Sequence, residues 1–217
     1  MLVSVAIVFP VVFSIDSAYK RRENALRYLA DLRSHAIAIY YAMRDWCTEK
    51  EHDLHERTKL LLEEILVAIR AMLSGNNRKE DRIHEARIYE LFSRLSVNTM
   101  ELRDHGAQSS EISRISQYVS KMIIAFDNMK MIHHYRTPIT LRAYSKVFIN
   151  IFPIIYGPYF ANMVNNYTSR LEYVMPILYS FILVSLDNIQ DHLEHPFDEV
   201  GEDDIRIDPK EVTTLMK

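Results

Sequence analysis

The stretch SEISRISQYVSKMIIAFDNM, residues 110–129, is written for a helix that buries one side. Its apolar residues Ile112, Ile115, Val119, Met122, Phe126 and Met129 recur at steps of three and four. Those steps set them in one stripe, close to a heptad seam. Ser110 before Glu111 reads as an N-cap. Arg136-Thr137-Pro138 ends the helix, because a residue before proline avoids the helical region.

The same pattern extends upstream. Ala25, Leu29, Leu32, Ala36, Ile39 and Met43 form one apolar stripe, and Leu61, Leu62, Ile65, Leu66, Ile69 and Leu73 form another. A polar stretch from Thr48 to Arg57 separates them, and Ser74-Gly75-Asn76-Asn77 reads as a helix stop and loop. A third helix is expected from about Lys79 to Asp104, with Ile83, Leu91, Leu95 and Leu102 as core residues and His105-Gly106 closing it. Four glycines in 217 residues suit long helices. Sandwiches and phosphate-cradling loops need more. A net charge of −3 argues against a nucleic-acid partner. The lone Cys47 excludes an intrachain disulfide and a multi-cysteine zinc site.

Three apolar runs differ from these stripes. Leu2 to Ile15 carries no charge, and lacks the basic start and cleavage site of a signal peptide. At about 14 residues it falls short of the roughly 20 that cross a bilayer, so it reads as the tail of a longer hydrophobic helix. Pro10 within it is better tolerated in a membrane than in water. Val147 to Ser169 is uncharged for about 23 residues, long enough to span. Pro153, Gly157 and Pro158 predict a kink or break in it. Tyr173 to Leu186 is again about 14 residues and spans only with help from neighbours. Tyrosines 156, 159, 167, 173 and 179 cluster around these runs like an interfacial aromatic belt. The tail after Gln190 is polar, acidic and expected to be irregular. The expected fold class is all-α: a membrane-embedded helical protein with long amphipathic helices in water.

Three stretches in register resemble the bestrophin family. Phe13-Ser14-Ile15-Asp16-Ser17-Ala18-Tyr19-Lys20-Arg21 is similar to the junction where the family's pore helix leaves the membrane. Arg136-Thr137-Pro138-Ile139, followed by Ala143-Tyr144-Ser145, is similar to its Thr-Pro-Ile element. Leu186-Asp187-Asn188-Ile189-Gln190-Asp191-His192-Leu193-Glu194-His195-Pro196-Phe197 is similar to the end of its last membrane helix and the Pro-Phe turn. Arg22 and Glu23 stand where the family has two aromatics. The family's first membrane helix and the start of its second have no counterpart, so the chain is expected to be a truncated or incomplete version.

The resemblance implies a chloride channel subunit, an integral membrane protein in a homo-oligomer, a pentamer, with chloride and other small anions and the lipid bilayer as partners. The host membrane is left open. The resemblance implies one domain, with 1–15 a partial pore helix, 16–142 mainly cytosolic helices, 143–187 membrane segments and 188–217 the acidic tail. It carries the hydrophobic pore neck onto Val5, Phe9 and Phe13, which are four apart and share a helix face. Packing against neighbouring helices is the competing role for the two phenylalanines. A second, cytosolic aperture falls on Ile112 or Ile115, for which plain helix packing competes equally. No cofactor is required. Calcium is a possible one, carried onto Asp203 and Asp204 within the run Asp198, Glu199, Glu202, Asp203, Asp204, against the plainer reading of a solvated tail. The alternative function is a non-conducting scaffold or regulatory subunit that assembles with full-length channels.

The basic block Lys20, Arg21, Arg22, Arg27 reads as a positive-inside topology signal, with anion attraction second. No enzyme is expected: nucleophile elbow, phosphate loop and dinucleotide fingerprint are absent from the sequence. Glu49-Lys50-Glu51-His52 and Asp81-Arg82-Ile83-His84 are poor matches to a di-iron pattern, the first lying in a wholly polar stretch where His52 and His55 are expected to be solvated. His133 and His134 end a helix, where a cation suits the dipole, so no ligand role is assigned to them.

Overall fold

The computed structural model describes residues 2–46, 52–75, 77–135, 140, 143, 146–147, 149–151, 154–158, 171–201 and 204–216. Among them there is no strand, and the fold is all-α. The helices with described bounds are α1 (Leu2–Asp45), α2 (His52–Ser74), α3 (Arg78–Met100), α4 (Ser109–His134), α5 (Leu171–Glu194) and α6 (Pro209–Leu215). A 3-10 turn, Glu101–Arg103, extends α3.

The chain divides into two compact units. The first holds Met1–Glu23 and Tyr135–Pro196, and the second Asn24–His134 and Phe197–Lys217. The apolar start and the amphipathic stripe after Asp16 are one 44-residue helix, and Pro10 does not break it.

The second unit is built around the stripes read from the sequence. Ala25, Leu29, Leu32, Ala36, Ile39 and Met43 of α1 are all buried, as are Leu62, Ile65, Leu66, Ile69 and Leu73 of α2. The six apolar positions of α4 are buried as well. Phe126 lies at the centre, its ring 5.8 Å from Tyr89 edge-on and 6.2 Å from Phe92. On α3, Leu91, Leu95 and Leu102 are buried, but Ile83 is 70% exposed. The buried row there runs Asp81, Ile88, Leu95 and Leu102 at steps of seven, and Ile83 lies about 160° round the axis from Asp81. Asn77 caps α3 by accepting from the Lys79 amide at 3.1 Å. Gly106, at φ 82°, closes the 3-10 turn, a conformation that costs glycine little. Glu111 reaches back to accept from the Gln108 amide at 2.9 Å, half of a capping box that starts α4 at Ser109, one residue before the expected cap.

Among the described residues the tail is irregular between α5 and α6, as expected, but it is not only polar. Phe197, Ile205, Ile207, Val212 and Met216 are buried in the core of the second unit. Alternate apolar residues at 205 and 207, then a four-residue step in α6, give it one buried side. Asp208 caps α6, accepting from the Lys210 amide at 2.9 Å, with Pro209 in its first turn. Tyr41 of α1 donates to the Leu215 carbonyl at 3.1 Å. His55, expected to be solvated, has a side chain only 15% exposed, and its ring lies 6.1 Å from Tyr40.

A half-buried polar group ties α3 to α4. The Lys130 ammonium meets Asp127 at 2.7 Å, Glu85 at 3.0 Å and the Tyr89 hydroxyl at 2.8 Å. Burial opposes its charge, but the three hydrogen-bond partners outweigh burial and hold its pKa well above the ordinary 10.5. Its stabilising contribution is therefore complete below 10.5 and is lost only as pH rises through the higher folded value.

Three outcomes follow for stability of the second unit. Phe126→Ala, at a fully buried position, is expected to cost about 3–5 kcal/mol in denaturant unfolding. Ile83→Ala on the exposed face is expected to stay within about 0.5 kcal/mol. Lys130→Met removes the bonds to Asp127, Glu85 and Tyr89, leaving Tyr89 still donating to Asp127, and is expected to cost about 1–3 kcal/mol. That deficit should be the same at neutral pH and at about pH 10, because the lysine keeps its proton throughout.

Candidate functional site

α1 has two chemically different sides in the first unit. Val11, Ser14 and Ala18 are buried. Val11 packs with Ile149 and Leu183, with Ile15, Tyr156 and Leu186 around them. Phe9 and Phe13 are 59% and 51% exposed. Each is two positions from Val11, which at 100° per residue puts it about 160° round the axis. Their rings meet edge to face, centroids 4.6 Å apart. Within one chain the two phenylalanines pack on each other, on the side of α1 away from Val11. Val5 occupies the same four-residue row of α1, and its side chain lies outside the described residues.

The rest of the first unit inverts the usual distribution of polarity. Val174, Ile177, Leu178, Phe181, Ile182 and Val184 of α5 are all exposed. Ser14, Gln190 and Glu194 are buried. The Gln190 side-chain amide donates to Glu194 at 3.1 Å. Arg21 donates to the Glu194 main-chain carbonyl at 3.3 Å, serving the last turn of α5, where cations are favoured. Lys20 pairs with Asp16 one turn earlier at 2.7 Å. Two members of the basic block are thus engaged locally. No helix among the described residues is long and apolar enough to cross a membrane. Much of the expected span from Val147 to Ser169 lies outside those residues, while 154–158 are helical.

Ile112 and Ile115 are enclosed in the second unit's own core, 3% and 0% exposed. Both lie on the buried stripe of α4, so helix packing accounts for them within one chain.

The acidic run forms a local loop. Arg70 grips Glu199 with two hydrogen bonds, 2.8 and 2.9 Å, which hold that carboxyl below its usual pKa. The grip secures Glu199 at φ 58°, a strained conformation for a residue with a Cβ. Asp198 accepts from the Val200 amide at 3.2 Å and Asp204 from the Gly201 amide at 2.6 Å. Burial, followed by a hydrogen bond with Asp198, raises the Asp204 pKa. Among the described residues these carboxylates do not converge: their oxygens are turned to backbone amides, to Arg70 and to each other. Asp203 and Glu202 lie outside the described residues.

A cluster with no sequence motif lies elsewhere. Asp81, in the first turn of α3, comes together with His133 and His134 at the end of α4. The motif read from the sequence had paired Asp81 with His84. Folding brings residues about 50 positions apart together, and no local spacing announces that.

No protein-family model and no curated protein matches the chain. Solved structures do. A variant of a bacterial bestrophin homologue from Klebsiella pneumoniae superposes with a TM-score of 0.82 at 15% identity, over 99% of this chain and 84% of that one. Another structure of the Klebsiella pneumoniae homologue gives 0.81 at 15% identity, with the same coverage. A structure of a membrane protein gives 0.81 at 16% identity, again over 99% and 84%. The continuous first helix, the helical core of the second unit and the apolar first unit are a bestrophin-like fold.

Proposed function

We propose that this chain is the subunit of an anion channel, and that Phe9 and Phe13, with Val5 in the same row, line its neck. The observation that carries the reading is the edge-to-face pair of phenylalanines on the uncovered side of α1. Exposed aromatic surface of this kind calls for a partner. Copies of the chain arranged about an axis, five by resemblance to bestrophins, would turn these rings toward one another. The exposed apolar side chains of α5 fit contact with lipid or with neighbouring copies. The first unit would then lie in a bilayer and the second in water.

Transport in such a pore is passive and makes or breaks no bonds. A ring of phenylalanines is a dry constriction whose water column empties and refills, which gates conduction. The positive edges of aromatic rings tolerate an anion better than their faces tolerate it. Chloride would cross by shedding part of its hydration shell and moving down its gradient.

The test is chloride efflux from liposomes carrying the purified chain, with copy number measured by native mass spectrometry. Wild type is expected to release chloride down its gradient. Phe9→Ala and Phe13→Ala are expected to raise the basal flux severalfold by removing the dry constriction. Intact oligomers in the membrane with no flux in any variant would overturn the channel reading and support the non-conducting scaffold.

A further inference from the structure

The heptad rows of α3 and α4 both end on chemistry rather than on a hydrophobe. On α3 the row is Asp81, Ile88, Leu95, Leu102, and on α4 it is Ile112, Val119, Phe126, His133, each at steps of seven. The two helices are packed together and joined by a short turn, so the start of one meets the end of the other. Register therefore carries Asp81 and His133 to the same end of the core. Asp81 is 3% exposed, although it is an acid. Its Oδ1 is buried and has no hydrogen-bond partner. Its Oδ2 lies 3.6 Å from His133 Nε2, too long for a hydrogen bond. His134 completes the group, its ring centroid 5.2 Å from that of His133. One ligand atom from each residue can be chosen so that all lie within 4.8 Å of one another.

We propose that Asp81, His133 and His134 bind one divalent transition metal of the zinc class. Two imidazoles and a carboxylate are the donor types such ions take. Zinc bonds of about 2.0–2.2 Å put tetrahedral ligands about 3.3–3.6 Å apart. The Asp81–His133 pair already has that separation, and a ligand atom of His134 lies within 4.8 Å of both. A buried carboxylate oxygen without a donor is the kind of group that a cation satisfies. The side chain of His133 is 18% exposed, which leaves a path for the ion. Three protein ligands leave a fourth position for water. The bound ion would fasten the start of α3 to the last turn of α4, next to the point where the chain passes from the second unit to the first at Tyr135.

The competing arrangement is a plain ion pair between Asp81 and a protonated His133, each at the helix end that suits its charge. Calorimetry with zinc chloride on the full chain in detergent separates the two. One zinc per chain is expected, and Asp81→Asn, His133→Gln and His134→Gln are each expected to weaken it by at least about tenfold. Zinc should raise the thermal midpoint of wild type, but not that of Asp81→Asn. Undiminished zinc binding in the three variants, or none in wild type, overturns the site. A midpoint that falls in His133→Gln while zinc moves neither protein leaves only the ion pair and likewise overturns it. If a variant loses helicity by circular dichroism, X-ray absorption of zinc-loaded wild type decides. Scattering from two imidazoles supports the site, and a spectrum without imidazole overturns it.

Discussion

The packing of α3 against α4 is the constraint on which the rest of the second unit depends. Each helix repeats a buried residue every seven positions, and a short turn makes the two antiparallel. That repeat keeps one stripe of each helix facing its neighbour over several turns. Phe126 then falls against Tyr89 and Phe92, and Lys130, one turn on, falls among Asp127, Glu85 and Tyr89. The stripes of α1 and α2 join the same core, and Phe197, Ile205 and Ile207 of the tail lie against it. Burying Asp81 and half-burying His133 are consequences of the same register, since both occupy positions where the repeat demands an inward side chain.

α1 serves two environments with one backbone. Beyond Asn24 its small and aliphatic residues close onto the core of the second unit. Before Glu23 it buries Val11, Ser14 and Ala18 and leaves Phe9 and Phe13 outside. A helix in water normally shows polar residues on its outer face. Here the outer face is aromatic, and α5 likewise exposes aliphatic side chains while Gln190 and Glu194 are buried. The exteriors of the two units thus differ in polarity.

Helical stripes were legible in the sequence because a step of three or four is a local property. The positions read from α1, α2 and α4 are buried in the structure except Leu61, which is half-buried, and α3 ends at Met100, four residues before the expected Asp104. Ile83 failed because an apolar residue alone does not fix helix phase: the row through Ile88 and Leu95 puts Asp81 inward and Ile83 outward. The tail was misread because its acidic residues hid an apolar alternation. Its charges are spent on Arg70 and on turns, while Ile205 and Ile207 do the packing.

By itself the sequence determined the all-α class, the helical stripes and the resemblance that named three short motifs, because each rests on residues near one another along the chain. Tertiary structure decided which side of each residue faces a neighbour. It put Phe9 and Phe13 outside and Ile112 and Ile115 inside, although all four are apolar residues at helical spacing. It also joined Asp81 to His133 and His134. Burial is a property of what packs against a helix, and a one-dimensional pattern records only that a helix has a side to bury.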